Sequence, residues 1–289
     1  MPQLKRRVIN VGNIYDGIQS ALNRGEQVAV VTIVKTTGSS PRPAGTKMLV
    51  HLDGRVVGTL GGPLLDSRGA QDALETLKDG VPRAARYTIE ADTGETAGSC
   101  GGTMEVFVEA VRPEQRLILV GGGYVAQALA RFAEHLDFRL LVVDDRRDLV
   151  NPQTFPESAQ LHFGEIPQMI AELQPDSSTW IVVVTRGHTL DKEALRVALQ
   201  SPAPYVGMIG SPGKVRRIFR ELLHEGIPRE RLEQAHAPIG LDLGAETPDE
   251  IALAIAAEML LLRRGGTGRP LHQIHRMLEE VEARETAGG

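Results

Sequence analysis

Apolar and polar positions follow two different patterns along the chain, and the first pattern occupies roughly its first 110 residues. Short β-branched runs there are bounded by turn-forming residues, and they predict strands at 27–35, 48–50, 56–60, 85–89 and 103–109. Helical periodicity predicts helices over 10–24 and 65–77. Asp53 and Gly54 form a dipeptide favoured in tight hairpin turns. This half of the chain therefore predicts an α+β fold.

The second half alternates short continuous apolar runs with helical segments. The predicted strands are 117–120, 140–143, 160–163, 180–184, 205–209 and a weaker one at 235–239. Such runs are typical of a parallel sheet that is covered by helices on both faces. A further helix is predicted to begin at Thr247, with Pro248 at its first position and Glu250 completing a capping box.

A polar, proline-containing joint at 112–115 separates the two patterns. We predict a smaller α+β domain over 1–112 and a Rossmann-like, doubly wound parallel sheet over 113–265. Residues 266–289 are predicted to form an amphipathic helical tail that docks on a neighbour. Its apolar positions are Leu271, Ile274, Leu278 and Val281.

Composition narrows the class of protein. The 289 residues carry a net charge of −5, which argues against a basic protein that coats nucleic acid. The longest nearly apolar run, 251–262, is too short to span a bilayer, and no apolar core follows the basic residues 5–7. The single cysteine excludes an internal disulfide framework and a metal site of several cysteines in one chain. We therefore expect a cytoplasmic protein that binds neither nucleic acid nor membrane.

The first predicted strand of the second half leads into a glycine-rich turn. Residues 121–126 read GGGYVA, which fits the G-x-G-x-x-A fingerprint, and Asp144 ends the next strand 21 residues after Gly123. In dinucleotide-binding folds Gly121 and Gly123 would let the backbone approach a pyrophosphate, and Asp144 would bind a ribose. The alternative is a tight strand–helix turn in which Asp144 caps a loop.

Polar clusters follow the other strands of this half as well. His188 follows the fourth strand, Ser211 and Lys214 follow the fifth, and Asp242 follows the last. Ligands of open α/β sheets bind outside these strand ends, so we predict a site for an anionic ligand there. His188 has the chemistry of a general acid or base, or of a phosphate donor, and the alternative is a histidine that caps a helix. Asp242 either binds a hydroxylated ligand or orders its loop.

The first half contains two further candidates. The hydroxyl- and glycine-rich loop 36–47 carries Arg42 and Lys47, which makes it a second predicted anion site. Cys100 lies between Ser99 and Gly101, which predicts an exposed thiol able to ligate a soft metal or to carry sulfur. The alternative for Cys100 is a buried, inert thiol.

Taken together these motifs resemble those of the xanthine dehydrogenase accessory factors, the XdhC/CoxI family. The matching segments are 37–48 (TGSSPRPAGTKM), 54–58 (GRVVG), 100–102 (CGG), 121–123 (GGG), 142–146 (VVDDR), 207–211 (GMIGS) and 238–248 (PIGLDLGAETP). The resemblance covers about 17–264, nearly the whole chain, and the last segment is highly specific. One position departs from the family pattern, because Pro63 follows Gly61-Gly62 where members commonly carry a cysteine.

The resemblance implies an accessory protein that binds and protects the molybdenum cofactor, as molybdopterin or its dinucleotide form. It also implies two partners: a cysteine desulfurase that sulfurates the cofactor, and an apo molybdenum hydroxylase, such as xanthine dehydrogenase, that receives it. We expect a homodimer, and a carrier rather than a turnover enzyme, with no metal held by a cluster of protein side chains. With Pro63 in place of the family's cysteine, Cys100 is left as the candidate sulfur or molybdenum ligand.

Two other functions stay open on the sequence. The glycine turn, Asp144 and His188 would suit an NAD(P)-dependent oxidoreductase, although no Tyr-x-x-x-Lys signature accompanies them. A nucleotide-sensing module without chemistry would use the same fold.

Overall fold

The computed structural model of the protein describes residues 12–89, 102–271, 274 and 277. Within those residues the chain forms two sheets joined by residues 112–115. The elements of the first half are α1 (Gly12–Asn23), β1 (Val28–Thr37), β2 (Lys47–His51), β3 (Val56–Gly58), α2 (Pro63–Asp79), β4 (Arg83–Ile89) and β5 (Gly102–Val111). Those of the second half are β6 (Arg116–Val120), α3 (Tyr124–His135), β7 (Arg139–Asp144), β8 (Gln160–Phe163), α4 (Ile166–Glu172), β9 (Thr179–Val183), α5 (His188–Gln200), β10 (Tyr205–Met208), α6 (Pro212–His224), α7 (Arg229–Leu232), β11 (Ala235–His236) and α8 (Pro248–Arg264).

The first sheet is antiparallel and has the order β3-β2-β1-β5-β4. Successive side chains of a strand point to opposite faces, and in the first four residues of β1 both sets are apolar and buried. Ala29 and Val31 pack in the core on the side of α2, whereas Val28 and Val30 pack in a second core with Ile14 of α1. The sheet therefore lies between two helices, and the predicted α+β half is confirmed.

The second sheet is parallel throughout and has the order β11-β10-β9-β6-β7-β8. Counted from β6, this is the strand order 3-2-1-4-5-6 of a Rossmann fold. One core packs α3 and α8 against the sheet, and the other packs α4, α5 and α6 against its opposite face. The predicted doubly wound α/β fold is confirmed.

Local signals predicted the start of α8 correctly and the end of β11 less well. Thr247 accepts a hydrogen bond from the Glu250 N–H, and the Glu250 carboxylate accepts one from the Thr247 N–H. β11 stops at His236, before the end predicted at 239, because Pro238 has no N–H to donate to a sheet. No helix within the described ranges has both the length and the apolar character required to cross a membrane.

The predicted tail is described only in part. Leu271 and Ile274 are exposed, at 90% and 63%, whereas Leu278 and Val281 lie outside the described residues. Docking of the tail on a neighbour therefore stays a prediction.

The two halves touch near the amino ends of β1 and β9. The Ser177 hydroxyl donates to the Gly25 carbonyl oxygen at 2.8 Å. Gly25 precedes β1, and Ser177 precedes β9. The opposite end of β1 leads into the loop between β1 and β2. The opposite end of β9 is its carboxyl end.

Candidate functional site

The glycine turn after β6 is built by close backbone packing. Gly121 has a φ of +115°, and a Cβ there would lie 2.5 Å from the Val184 carbonyl oxygen. Its N–H donates to the Val143 carbonyl oxygen at 2.7 Å. Gly123 has an ordinary extended conformation and is the N-cap of α3. A Cβ on Gly123 would meet no described atom within 4 Å. Gly121 is therefore needed to pack the turn, whereas Gly123 leaves space beside the helix.

Asp144 lies at the end of β7 and is 1% exposed. One carboxylate oxygen accepts from the Gly122 N–H at 2.7 Å, and the other accepts from the Arg146 N–H at 2.8 Å. The Arg146 guanidinium adds bonds of 3.0 and 3.1 Å. Burial by itself would raise the pKa of Asp144, but the hydrogen bonds from Arg146 and Gly122 outweigh it and lower this pKa. Both oxygens are thus engaged by the protein, as expected of a residue that fastens the turn.

A second aspartate–arginine pair lies beside the first. The guanidinium of Arg186, which follows β9, donates to both carboxylate oxygens of Asp145, which follows β7, at 2.5 and 2.8 Å. The side chains are 46% and 27% exposed. Since β6 lies between β9 and β7 in the sheet, this ion pair spans the carboxyl end of β6.

His188 begins α5, and both of its ring nitrogens are bonded to α6. Nε2 lies 2.9 Å from a carboxylate oxygen of Glu221, and Nδ1 accepts from the Arg217 Nε–H at 3.1 Å. The hydrogen bond from His188 lowers the pKa of Glu221. As placed, His188 fastens α5 to α6, and it would have to release Glu221 or Arg217 to exchange a proton with a ligand.

Ser211 and Lys214 also have partners within the protein. The Ser211 hydroxyl caps α6 by accepting from the Lys214 N–H at 3.3 Å. The Lys214 ammonium forms an ion pair with Asp191, which is fully buried in the first turn of α5. Asp191 also accepts from the Thr185 hydroxyl at 2.7 Å. Lys214 is therefore held at the sheet edge by a buried carboxylate.

Asp242 lies on an exposed loop after β11, next to a partly buried polar network. The Glu258 carboxylate accepts from the Gly240 N–H at 2.8 Å and from the Tyr205 hydroxyl at 3.0 Å. It also lies 3.0 Å from the His236 Nδ1. Burial tends to raise the pKa of Glu258, and these hydrogen bonds outweigh it and lower this pKa. Glu258 therefore holds the start of the Asp242 loop to α8.

Among the helices that begin at this edge of the sheet are α3 after β6, α5 after β9 and α6 after β10. The N-caps of α3 and α5 are Gly123 and Gly187, neither of which has a capping side chain. A Cβ on Gly187, as on Gly123, would meet no described atom within 4 Å. Helix amino ends present free N–H groups and a positive potential, which favours anions. Together with the guanidinium groups of Arg146 and Arg186, this edge is suited to a phosphate group.

The remaining predicted residues belong to the first half of the chain. Arg42 is exposed on the loop between β1 and β2, and the Lys47 ammonium donates to the Thr32 hydroxyl at 2.9 Å. This loop packs on the turn before α2, where a Cβ on Gly61 would lie 2.5 Å from Pro41. Cys100 lies outside the described residues. Asp242 lies on the loop after β11, and Arg42 and Lys47 belong to the first sheet and its β1–β2 loop. The structure brings six predicted residues to one edge of the second sheet: Gly121, Gly123, Asp144, His188, Ser211 and Lys214.

Two family models match the chain. One, described as the XdhC Rossmann domain, matches residues 117–259, and the other, described as the XdhC and CoxI family, matches residues 21–88. Together the matched segments cover more than half of the chain. The chain belongs to the XdhC and CoxI family.

Three curated relatives were compared with this family member. It is 34% identical to the uncharacterized protein YqeB of Escherichia coli K12, over 83% of this chain and 44% of the relative. It is 30% identical to a probable xanthine dehydrogenase subunit from Bacillus subtilis 168, over 56% of this chain and 47% of the relative. It is 27% identical to the molybdenum cofactor insertion chaperone PaoD of E. coli K12, over 84% of this chain and 86% of the relative. The chain thus spans less than half the length of the first two relatives.

Four charged residues of this XdhC/CoxI family chain form hydrogen bonds or ion pairs around the predicted residues, although they are not among the residues predicted from sequence: Asp145, Arg186, Asp191 and Glu258. Asp145 and Arg186 each follow a predicted strand directly, so a strand-end rule applied to every charged residue would have found them. Asp191 and Glu258 lie inside helices, where a carboxylate is ordinarily exposed. Only the packing of these helices reveals that Asp191 is buried and that Glu258 is partly buried. In the described part of the chain no group of three or more His, Asp or Glu side chains is placed to hold a metal ion.

Proposed function

We propose that this XdhC/CoxI family member binds the molybdenum cofactor at the carboxyl edge of its parallel sheet. We further propose that it delivers the cofactor to an apo molybdenum hydroxylase. The observation that carries the proposal is the set of uncapped helix amino ends, with open space at Gly123 and Gly187, beside two guanidinium groups. The names of the B. subtilis relative and of PaoD support the same assignment.

The residues at this edge fit the charged end of such a cofactor. Molybdopterin ends in a phosphate, and its dinucleotide form contains a diphosphate; both are anions that helix amino ends and arginine recognise. The N–H groups at the starts of α3 and α5 and the guanidinium of Arg186 would hold the phosphate. Lys214, kept in place by Asp191, would add a cation. When bound, the cofactor carries the molybdenum chemistry of the enzyme that receives it, and this chain would only hold and shield it.

A nicotinamide dinucleotide is the alternative ligand, and the strand order of the second sheet favours it. That function would need Asp144 to accept hydrogen bonds from a ribose. Both of its carboxylate oxygens already accept from Gly122 and Arg146, and the side chain is buried. The cofactor-carrier function makes no such demand on Asp144.

Further parts of the proposal concern partners and the first half of the chain. We propose that a cysteine desulfurase sulfurates the bound cofactor with help from Cys100, that Arg42 and Lys47 contact the cofactor or a partner, and that the protein works as a cytoplasmic homodimer. If Cys100 takes part, it should react readily with a thiol probe in the native protein, and bound cofactor should protect it.

The central test uses two glycines that each precede a helix. Gly123→Val places a side chain in the open space before α3, and Gly62→Val does the same before α2 in the other half. The chain is co-expressed with cofactor biosynthesis, and the molybdenum and oxidised-pterin fluorescence that co-purify with it are measured. We expect Gly123→Val to lose the cofactor by steric exclusion while Gly62→Val retains it.

The opposite pattern would place the cofactor in the first half, near Arg42 and Lys47. Retention by both variants would remove the sheet edge from the proposal. A parallel titration with NAD and NADP tests the alternative, because tight nicotinamide binding without co-purified molybdenum would favour the oxidoreductase.

A further inference from the structure

Two neighbouring aspartates of β7 and the loop after it hold arginines in different surroundings. The Asp144 carboxylate, whose side chain is 2% exposed, is bonded to both the Gly122 N–H and Arg146. The Asp145 carboxylate is partly exposed and bonded to the exposed guanidinium of Arg186. Opening the first pair would leave a buried carboxylate without its cationic partner, whereas opening the second exposes both charges to water. Only the Asp145–Arg186 pair is therefore free to exchange partners at low cost.

The exposed pair lies across the amino end of α3. Gly121 contacts Val184 on one side and Val143 on the other, so the glycine turn lies between the ends of β9 and β7. Asp145 and Arg186 follow those same two strands and join over the turn. Each bond of this pair is one that a phosphate oxygen is able to replace, because phosphate offers arginine the same bidentate geometry as a carboxylate.

We propose that Asp145 is an internal substitute for the ligand's phosphate: an incoming phosphate or diphosphate group takes the guanidinium of Arg186, and Asp145 swings away. This inference rests on the proposed function, because it assigns the phosphate subsite of the same edge to Arg186. Asp145 then competes with the ligand and limits binding to anions that carry more charge than a single carboxylate. Arg146 stays on Asp144 throughout and keeps the turn in shape.

The test is a titration of the full-length protein with inorganic pyrophosphate, followed by NMR of the Arg186 Nε–H and of the amides at residues 121–123. Asp145→Asn removes the competitor and is expected to tighten pyrophosphate binding by about tenfold, the order expected when a charge-assisted hydrogen bond no longer has to be broken. Asp148→Asn is the matched control, because Asp148 is an exposed aspartate of the same loop and the charge change is identical. Its effect should be no more than about twofold, through screened long-range charge.

Arg186→Gln should weaken pyrophosphate binding by about tenfold or more, and Arg186→Lys should restore only part of it because lysine cannot bind in a bidentate manner. In the Asp145→Asn/Arg186→Gln double variant the gain from Asp145→Asn should disappear, since no guanidinium remains to be released. Thermal midpoints of all variants should stay close to that of the wild type, as befits an exposed ion pair.

Equal pyrophosphate affinities of Asp145→Asn and Asp148→Asn would overturn the proposed exchange of Arg186 between Asp145 and the ligand. Failure of all variants to bind pyrophosphate would overturn it as well. Neither result would decide whether the protein binds the cofactor. Cofactor binding is tested separately, by the molybdenum that co-purifies with Gly123→Val. Conversely, cofactor retention by Gly123→Val would count against the proposed function even if Asp145 and Arg186 exchanged partners with pyrophosphate.

Discussion

Two glycine turns, one in each half of the molecule, each combine a glycine of positive φ with a glycine N-cap. Gly61 and Gly121 have φ values of +117° and +115°, and each packs closely against a neighbouring segment. Gly62 and Gly123 follow as the N-caps of α2 and α3, and a Cβ on either would meet no described atom within 4 Å. The two turns nevertheless differ in whether a carboxylate neutralises the positive amino end of the helix that follows.

The helix α2 carries its own carboxylate in its first turn. Asp66 accepts from the Leu60 N–H at 2.7 Å and from the Thr59 hydroxyl, so a negative charge already lies at the positive end of α2. The first turn of α3 contains no acidic residue. Its nearby carboxylate, Asp144, is buried behind the turn and bonded to Arg146. The two helix starts thus differ in where a carboxylate lies: Asp66 lies at the amino end of α2, whereas Asp144 lies behind the turn before α3. The amino end of α3 is therefore the better suited of the two to an anion.

The largest expected difference concerns the first glycine of each turn. Gly121→Ala should cost about 3 kcal/mol or more of unfolding free energy, because the added Cβ meets the backbone of β9's end in a disfavoured conformation. Gly61→Ala should cost about 1–2 kcal/mol, because its obstacle is the Pro41 side chain on a surface loop that is able to move. Urea unfolding followed by the fluorescence of Trp180, the single tryptophan, measures the first variant. Hydrogen exchange of the β1 amides measures the loss of stability in Gly61→Ala. Equal losses of unfolding free energy in the two variants would contradict the expected difference between the two turns.

The next difference concerns the carboxylates. Asp144→Asn should cost about 2–3 kcal/mol, because it leaves the buried Gly122 N–H and the Arg146 guanidinium with a poorer partner. Asp66→Asn should cost about 1 kcal/mol, since its site is only partly buried. The same two unfolding measurements apply. A larger loss for Asp66→Asn would mean that the first turn depends more on its carboxylate than the second does.

A low pH should reduce the stability of the second half of the chain through protonation of Asp144. Its pKa is lowered in the folded protein, so the stabilisation it supplies is fully present above the ordinary aspartate pKa, near 4. That stabilisation is lost as the pH falls through the lowered pKa. The stability gap between wild type and Asp144→Asn should therefore narrow below about pH 4. Trp180-detected urea unfolding at a series of pH values checks this, and a gap that does not change with pH would be the contrary result.

The smallest effects are expected at the second glycine of each turn. Gly62→Ala and Gly123→Ala should each change the unfolding free energy by less than about 0.5 kcal/mol, because the space is open and the backbone is extended. Thermal unfolding measures both. A large loss at Gly123 would show that the space before α3 is needed for folding, and the binding test at that position would then need a smaller substitution.

Much of the fold could be predicted from sequence because its signals are local. Continuous apolar runs predicted the strands of the parallel sheet, and the Thr247–Glu250 pattern predicted the start of α8. The strand-end rule correctly gathered Gly121, Asp144, His188 and Lys214 at one edge, since parallel strands end together. It could not tell that His188 and Lys214 bond to α6 and α5. Those bonds depend on the distance and rotation between two helices far apart in the chain.

The sequence by itself determined that a glycine turn, an aspartate and several cations meet at one sheet edge, because strand periodicity and turn chemistry are properties of neighbouring residues. Only the tertiary structure decided which charges are already paired. Asp144 and Asp145 are adjacent in sequence, yet one is buried under the turn and the other reaches across β6 to Arg186. Burial and pairing depend on what other strands and helices bring to the same place, and this makes one carboxylate a structural anchor and the other exchangeable.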